Sequence, residues 1–324
     1  MTTKETILIT DITHFIGRSL SEALLKEGHS VYALVPPDSS EVVPIGIQKI
    51  EQDFSFSPVP ENISHIQTII HSAYMPYGPR LPYMKSARKA LKNHCRKFNI
   101  DASYQLAQKS AEKGVQRFIF LSSAQIMGSF QSTAYTEESL PNPMEDENVL
   151  QKFECEKNLE KIAQSYPMAI SSLRLPLVYG PYMTGRFIKL LQSIQKKVRF
   201  PFAQIQNQQS LLCIQNLTEA ILSILKTPPI PGFNSYLVAD PSPISTPDIV
   251  RTFAQALEMP DPITLGSEKK LFFMFRILGK RKAFQRITES FVLDSNKFQK
   301  TFNWMPRYST QEGLKILARW YLNS

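Results

Sequence analysis

The sequence is poor in glycine, in cysteine and in long apolar runs. It holds 12 glycines and three cysteines in 324 residues. No apolar run reaches the roughly 18 residues that a membrane-spanning helix needs, and the first residues lack the apolar segment of a signal peptide. The cysteines are odd in number and widely spaced, and the five histidines are scattered, so neither a disulfide framework nor a zinc site is expected. These absences predict a cytoplasmic protein without a metal centre.

Positively charged residues outnumber negatively charged ones, 37 to 28. The formal net charge is +9, and basic residues crowd two segments, 85–97 and 269–282. A basic surface attracts nucleotides, nucleic acid or anionic lipid without specificity. We interpret both segments as helices with a solvated basic face. No recognition motif accompanies the charge, so no specific nucleic-acid partner is expected.

Apolar, strand-like runs alternate with helical patterns through the first 175 residues. Such alternation is typical of an α/β fold in which helices cover both faces of a parallel sheet. The predicted strands are 5–10, 30–35, 47–51, 67–71, 116–121 and 169–175, and the predicted helices are 15–27, 84–112 and 148–165. We therefore predict a doubly wound, Rossmann-type domain over residues 1–175.

The pattern changes after residue 175, where shorter elements are separated by proline-rich joints. We predict that 176–324 forms mainly a smaller, discontinuous C-terminal substrate lobe, with about 209–227 returning to the first domain. Helices are expected near 185–196, 216–227, 246–257, 295–302 and 310–323, and strands near 209–214 and 234–239. In this architecture a ligand is expected beyond the carboxyl ends of the strands.

The first strand, turn and helix have the order of a dinucleotide-binding unit, but two of its three glycines are missing. In such a unit the pyrophosphate lies on the helix N-terminus, and the glycines allow a tight turn, close phosphate approach and helix packing. Here Gly17 holds the packing position, Asp11 the turn position and His14 the approach position. A dinucleotide bound despite these changes would contact Asp11, His14, Phe15, Ile16 and Gly17.

Asp11 and His14 also allow two local interpretations. They could form an acid/base pair at the start of the helix. We expect instead that Asp11 or Thr13 caps the helix and that His14 fills the space that a glycine would leave.

Five segments, in order, resemble the extended short-chain dehydrogenase/reductase family of NAD-dependent sugar-nucleotide epimerases, dehydratases and reductases. They are Ile69–Ala73, Asn99–Ala102, Phe118–Ser123, Leu173–Pro181 and the C-terminal part from Leu293–Lys297 to Trp320. The resemblance implies a sugar-nucleotide-like ligand, cofactor contacts at Asp53 and Ala73, and a possible homodimer through the helices at 84–112 and 148–165.

The family chemistry implied by the resemblance uses a tyrosine as acid/base, a lysine four residues later and a serine on the reacting oxygen. The resemblance places Ser123 at the serine, Lys152 at the lysine and Asn148 at the tyrosine. Asparagine does not titrate in the useful range, so Asn148 cannot move a proton as tyrosine does, although it could hydrogen-bond a substrate. The end of the second strand also lacks the acid that binds the adenosine ribose.

Several roles stay open at this level. Lys152 could bind a cofactor ribose or pair with Glu156 on a surface helix. Ser123 could be a relic that serves only a turn, and Tyr135 could replace the missing tyrosine. Arg174 and Tyr179 are expected to be structural. We expect the aromatic and basic segment 269–284 to pack as a lobe helix, with contact to a membrane surface as the alternative.

The missing glycines, the missing ribose-binding acid and the missing tyrosine all affect nicotinamide chemistry. We therefore predict a ligand-binding pseudoenzyme or a non-redox enzyme that uses the family cleft, with no standard nicotinamide cofactor. One alternative is a divergent, active reductase, epimerase or dehydratase whose loop has adapted to NAD or NADP. Another is an interaction protein that docks on a membrane or a partner through 269–284.

Overall fold

A computed structural model describes residues 4–35, 43–52, 65–72, 85–128, 133–143, 146–277 and 281–324. Asp53 and Ala73, the expected adenine and cofactor contacts, lie outside the described residues. The chain divides into two compact units: residues 1–128, 140–175 and 221–236 form the first, and 129–139, 176–220 and 237–324 form the second. The segment expected to return to the first domain, 209–227, is thus divided at residue 221, and the predicted domain limits stay a prediction.

The first unit contains a seven-stranded sheet. Its strands are β1 (Thr6–Ile9), β2 (Ser30–Val35), β3 (Gln48–Glu51), β4 (Thr68–His71), β5 (Arg117–Ser123), β6 (Ala169–Leu175) and β9 (Gly232–Leu237), in the order β3-β2-β1-β4-β5-β6-β9. The pairs from β3 through to β6 are parallel. All six predicted strands are present, and the Rossmann-type α/β class is confirmed.

The helices of the first unit are α1 (Phe15–Lys26), α2 (Lys85–Arg96), α3 (Ala102–Glu112) and α4 (Glu147–Ser165). The single helix predicted over 84–112 is interrupted, because Lys97–Asp101 forms a π-helical turn between α2 and α3. Such turns widen a helix locally and often occur at functional sites. The strands contribute near-continuous apolar runs to the core, as expected for a sheet covered on both faces, and Leu8, Ile69 and Phe118 are fully buried.

The second unit is built from shorter elements. Strands β7 (Leu177–Tyr179) and β8 (Leu211–Cys213) pair in parallel, and the helices are α5 (Arg186–Gln195), α7 (Thr246–Ala256), α8 (Glu268–Ile277), α9 (Arg281–Thr288), α10 (Asn296–Phe302) and α11 (Thr310–Leu322). Helix α6 (Ile214–Lys226) contributes residues to both units. The segment expected to form one lobe helix, 269–284, forms parts of α8 and α9. In the described part of the chain, no helix is both long enough and apolar enough to cross a membrane.

Candidate functional site

The turn between β1 and α1 lies at the point where the strand order reverses, between β1 and β4. In open parallel sheets this switch point is where ligands bind. His14 is the residue before the helix, with φ −74° and ψ 147°, and its backbone N–H donates to Oδ1 of Asp11 at 3.2 Å. The Thr13 hydroxyl donates to the same carboxylate oxygen at 3.3 Å. Asp11 therefore closes the turn that precedes the helix but does not cap it, because His14 is the N-cap residue and the helix has no side-chain cap. The expectation that Asp11 or Thr13 caps α1 is wrong.

His14 does not fill a cavity. Its side chain is exposed, and its ring centre lies 4.9 Å from that of Phe15. The Asp11 carboxylate is bound by the backbone N–H of His14, so the described contacts do not support an acid/base pair with its ring. Neither residue is among the non-glycine residues with positive φ. The turn has thus adopted a course that needs no glycine at these two positions.

Gly17 keeps the packing function that the sequence assigned to it. A Cβ atom on Gly17 would lie 1.6 Å from the carbonyl oxygen of Asp11, so no other residue fits without moving the turn. Phe15 and Ile16 are half-buried in the first turn of α1. The contacts of these residues with a cofactor stay a prediction.

The serines at the end of β5 differ in their surroundings. The Ser123 side chain accepts a hydrogen bond from the backbone N–H of Gln125 at 3.2 Å and caps the 3₁₀ turn Ala124–Met127. This local function favours the relic interpretation. The neighbouring Ser122 hydroxyl is buried and has no hydrogen-bond partner among the described residues.

Lys152 contacts the sheet rather than forming a surface ion pair with Glu156. Its Nζ donates to the carbonyl oxygen of Leu121 at 2.8 Å and lies 5.9 Å from the ring centre of Phe120. Glu156, the alternative partner of Lys152, instead accepts from the Arg174 guanidinium and the Ser172 hydroxyl, each at 2.7 Å. The structure therefore brings Lys152 to the end of the strand that carries Ser123.

Burial changes the acidity of this ammonium group. The residue as a whole is half-buried, but the ammonium is enclosed, and its burial lowers the pKa of Lys152 to about 8. A lysine with such a pKa can both hold and release a proton near neutral pH.

Asn148 lies in the first turn of α4, where its backbone N–H donates to the carboxylate of the capping residue Asp146 at 3.1 Å. The catalytic roles of Ser123, Asn148 and Lys152 stay predictions.

His71 is the centre of a buried network whose function the sequence did not assign. Nδ1 lies 2.9 Å from the Thr10 hydroxyl and Nε2 lies 2.7 Å from the Ser103 hydroxyl. The Ser103 hydroxyl donates its proton to the carbonyl oxygen of Asn99 at 2.6 Å, so it must accept from Nε2. His71 is therefore the Nε2–H tautomer, and burial, with the nearby charge of Lys152, lowers its pKa to about 3.

The network continues through the π-helical turn to α4. The Asn99 side-chain amide donates to the Gln151 side chain at 2.7 Å, and Gln151 donates to Glu147 at 3.2 Å. The only sequence signals were the resemblances of Ile69–Ala73 and Asn99–Ala102 to family segments. They marked the positions without showing that three elements meet there.

The two residues expected to be structural have extensive partners. Arg174 forms a buried ion pair with Glu156. The Tyr179 hydroxyl donates a hydrogen bond to the Asp240 carboxylate at 2.9 Å, inside the second unit. Tyr135 is also buried in that unit, where its ring centre lies 5.5 Å from that of Phe291, and the described contacts give it a packing function.

Known proteins resemble the chain along nearly its whole length. The profile of the NAD dependent epimerase/dehydratase family matches residues 7–238. A protein named UDP-glucose 4-epimerase from Vibrio cholerae is 28% identical over 331 residues, which cover 99% of this chain and 96% of that protein.

Solved structures resemble the fold equally broadly. UDP-glucuronic acid 4-epimerase from Bacillus cereus, in complex with NAD, has a TM-score of 0.77 at 18% identity and covers 98% of this chain and 99% of its own. UDP-glucose 4-epimerase from Thermotoga maritima, with UDP-glucose, has a TM-score of 0.74 at 18% identity over the same shares. At such identities these structures support the fold alone.

Proposed function

The chain belongs to the NAD-dependent epimerase/dehydratase family, and on that premise we propose that it binds a sugar nucleotide without the tyrosine-dependent hydride transfer of standard members. The observation that carries the proposal is the Asp11 carboxylate. It accepts the His14 N–H in the turn where a dinucleotide would place its pyrophosphate.

The first argument is electrostatic. The positive end of a helix dipole and its unpaired N–H groups attract one anion, and Asp11 already places a negative charge beside them. Two unit charges about 4 Å apart repel by ~1 kcal/mol in water and ~4 kcal/mol at the effective dielectric constant of a protein surface. A pyrophosphate in this turn would meet that repulsion and the His14 side chain, so the residues present do not fit a nicotinamide dinucleotide.

The second argument concerns proton transfer. The position at which the family resemblance expects tyrosine holds Asn148, whose amide can donate and accept hydrogen bonds but has no proton to exchange near neutral pH. Ser123 accepts the N–H of Gln125 as a cap, and its hydroxyl still has a proton to donate to a ligand. Binding of a ligand needs neither group to titrate.

The ligand class follows from the relatives. The Vibrio cholerae relative is named for UDP-glucose, and the Thermotoga maritima structure contains it. The Vibrio cholerae relative aligns with 99% of this chain, so the likeness includes the segment 176–324 that we expect to bind substrate. A nucleoside diphosphate sugar is therefore the ligand that we propose.

A second candidate is a divergent but active epimerase, dehydratase or reductase. One observation favours it: Lys152 is held at the end of β5 with a pKa of about 8. An enclosed lysine that exchanges a proton at Nζ near neutral pH could perform the acid/base step for which Asn148 is unsuited.

Calorimetric titration of the purified native chain tests the two candidates. The ligands are UDP-glucose, UDP, NAD+, NADH, NADP+ and NADPH, each alone. We expect heat with UDP-glucose, weaker binding of UDP and no binding of any dinucleotide. Micromolar binding of a dinucleotide would overturn the first proposal and support the second, which an assay for UDP-galactose formation would then examine.

A further inference from the structure

Helix α8 exposes apolar side chains on one side. Phe273 is 61% exposed and Ile277 is 69% exposed. Residues four apart lie on the same side of a helix, so the two side chains are neighbours. We call Phe273 and Ile277 the apolar patch.

Another side of α8 packs against aromatic residues of the same unit, although Phe272 on that side is still 40% exposed. The ring centres of Phe272 and Phe275 lie 5.3 Å and 6.0 Å from that of Phe284 on α9. Phe284 is itself buried. One side of α8 is therefore anchored, and the other leaves Phe273 and Ile277 in solvent. The expectation of a core-packed lobe helix holds for only one of its two sides.

The surrounding sequence carries charge of one sign. Residues 269–286 contain no Asp or Glu and seven basic residues: Lys269, Lys270, Arg276, Lys280, Arg281, Lys282 and Arg286. Among those with described side chains, Arg276 and Arg286 are exposed. Arg276 follows Phe273 by three positions and therefore lies on the same side of α8 as the apolar patch.

We propose that this surface docks on an anionic lipid bilayer, with Phe273 and Ile277 inserted at the level of the headgroups and Arg276 bound to a lipid phosphate. Aromatic and aliphatic residues on one side of a helix, flanked by Lys and Arg, are typical of interfacial helices. Basic residues next to a membrane surface attract the negative potential of acidic lipids. A second copy of the chain is a poor occupant, because a symmetric contact through the same patch would bring its own Arg276 against this one.

Co-sedimentation of the full chain with vesicles tests the proposal independently of any ligand or activity. One set of vesicles contains phosphatidylcholine alone, and the other also contains phosphatidylglycerol. We expect sedimentation only with the second set, and weaker sedimentation at high salt. The double variant Phe273→Ser/Ile277→Ser and the single variant Arg276→Glu should each weaken binding roughly tenfold.

Met305→Ser is the matched control, because Met305 is an apolar residue of the same unit that lies outside helix α8 and is more exposed than Phe273 or Ile277. It should sediment as the native chain does. Absence of sedimentation with phosphatidylglycerol would overturn the proposal. So would sedimentation that the double variant leaves unchanged, since binding would then be adsorption of charge alone. Self-association without vesicles that the double variant abolishes would also overturn it, and would assign the patch to an interface between copies.

Discussion

The Oδ1 atom of Asp11 accepts the backbone N–H of His14 at 3.2 Å, immediately before helix α1. An acidic side chain thus closes a turn that, in dinucleotide-binding units, is left open by glycine for a phosphate. The chain satisfies this N–H group from within. Under the proposed function, the carboxylate that closes this turn also repels the pyrophosphate of a dinucleotide.

Restoring glycine at both positions should restore dinucleotide binding. In the double variant Asp11→Gly/His14→Gly the carboxylate and the imidazole are gone, and we expect NAD+ or NADP+ affinity to rise at least tenfold, since ~1.4 kcal/mol of repulsion corresponds to a factor of ten. Isothermal calorimetry measures the change. Thr13→Gly is the control, because it alters the same turn and leaves Asp11 in place. An unresponsive double variant would mean that the obstacle lies outside this turn.

Replacing Lys152 should alter the dependence of stability on pH. Burial lowers its pKa from 10.5 to about 8, so between these values the unfolded chain binds more protons than the folded chain, and stability rises with pH. Below pH 8 the folded protein carries the full cost of the enclosed charge, on the order of 3 kcal/mol at about 1.4 kcal/mol for each pKa unit.

Lys152→Met should remove this rise. In urea unfolding, the free energy of unfolding of the native chain should rise relative to that of the variant as the pH increases from 8 to 10.5. A constant difference between the two proteins across this range would contradict the enclosed position of the ammonium group. Lys113→Met, at an exposed lysine, is the control and should follow the native chain.

Acid should destabilise the fold through His71. Its pKa falls from 6.5 to about 3 in the folded protein, so its contribution is complete above pH 6.5 and is lost as the pH falls toward 3. The loss is a few kcal/mol, from about 1.4 kcal/mol for each pKa unit. His71→Asn should lower stability at neutral pH and flatten the acid limb of the unfolding curve. His94→Asn, at an exposed histidine, should leave that limb unchanged.

Breaking the buried ion pair should be far more costly than breaking an exposed one. Glu156→Gln leaves the Arg174 guanidinium buried without a counter-charge, and we expect a loss of ~3–5 kcal/mol in the free energy of unfolding. Glu22→Gln removes the same charge from the exposed pair with Arg18, and we expect less than ~0.5 kcal/mol. Equal losses in chemical unfolding would show that Arg174 is solvated after the substitution.

Local patterns predicted the elements well where burial is uniform along a strand. The run Phe118–Leu121 is apolar at every position because both faces of the sheet are covered, so its type could be read from the sequence, although the strand continues to Ser123, two residues beyond the predicted end. The π-helical turn that interrupts the helix predicted over 84–112 could not be read from the sequence. The Asn99 turn is stabilised by partners on other elements, among them Gln151 on α4, and no local pattern encodes a hydrogen bond across 52 residues.

Residue type and order were sufficient to predict the alternation of strands and helices and the family. The missing glycines and the placement of Asn148 at the tyrosine position rest on the family resemblance and stay predictions. Which side chains meet is visible only in the folded chain. The tertiary structure assigned Glu156 to Arg174 and Lys152 to the carbonyl of Leu121, enclosed His71 between Thr10 and Ser103, and left one side of α8 exposed. Hydrogen bonding and burial depend on distances between segments remote in sequence, and those distances exist only once the chain has folded.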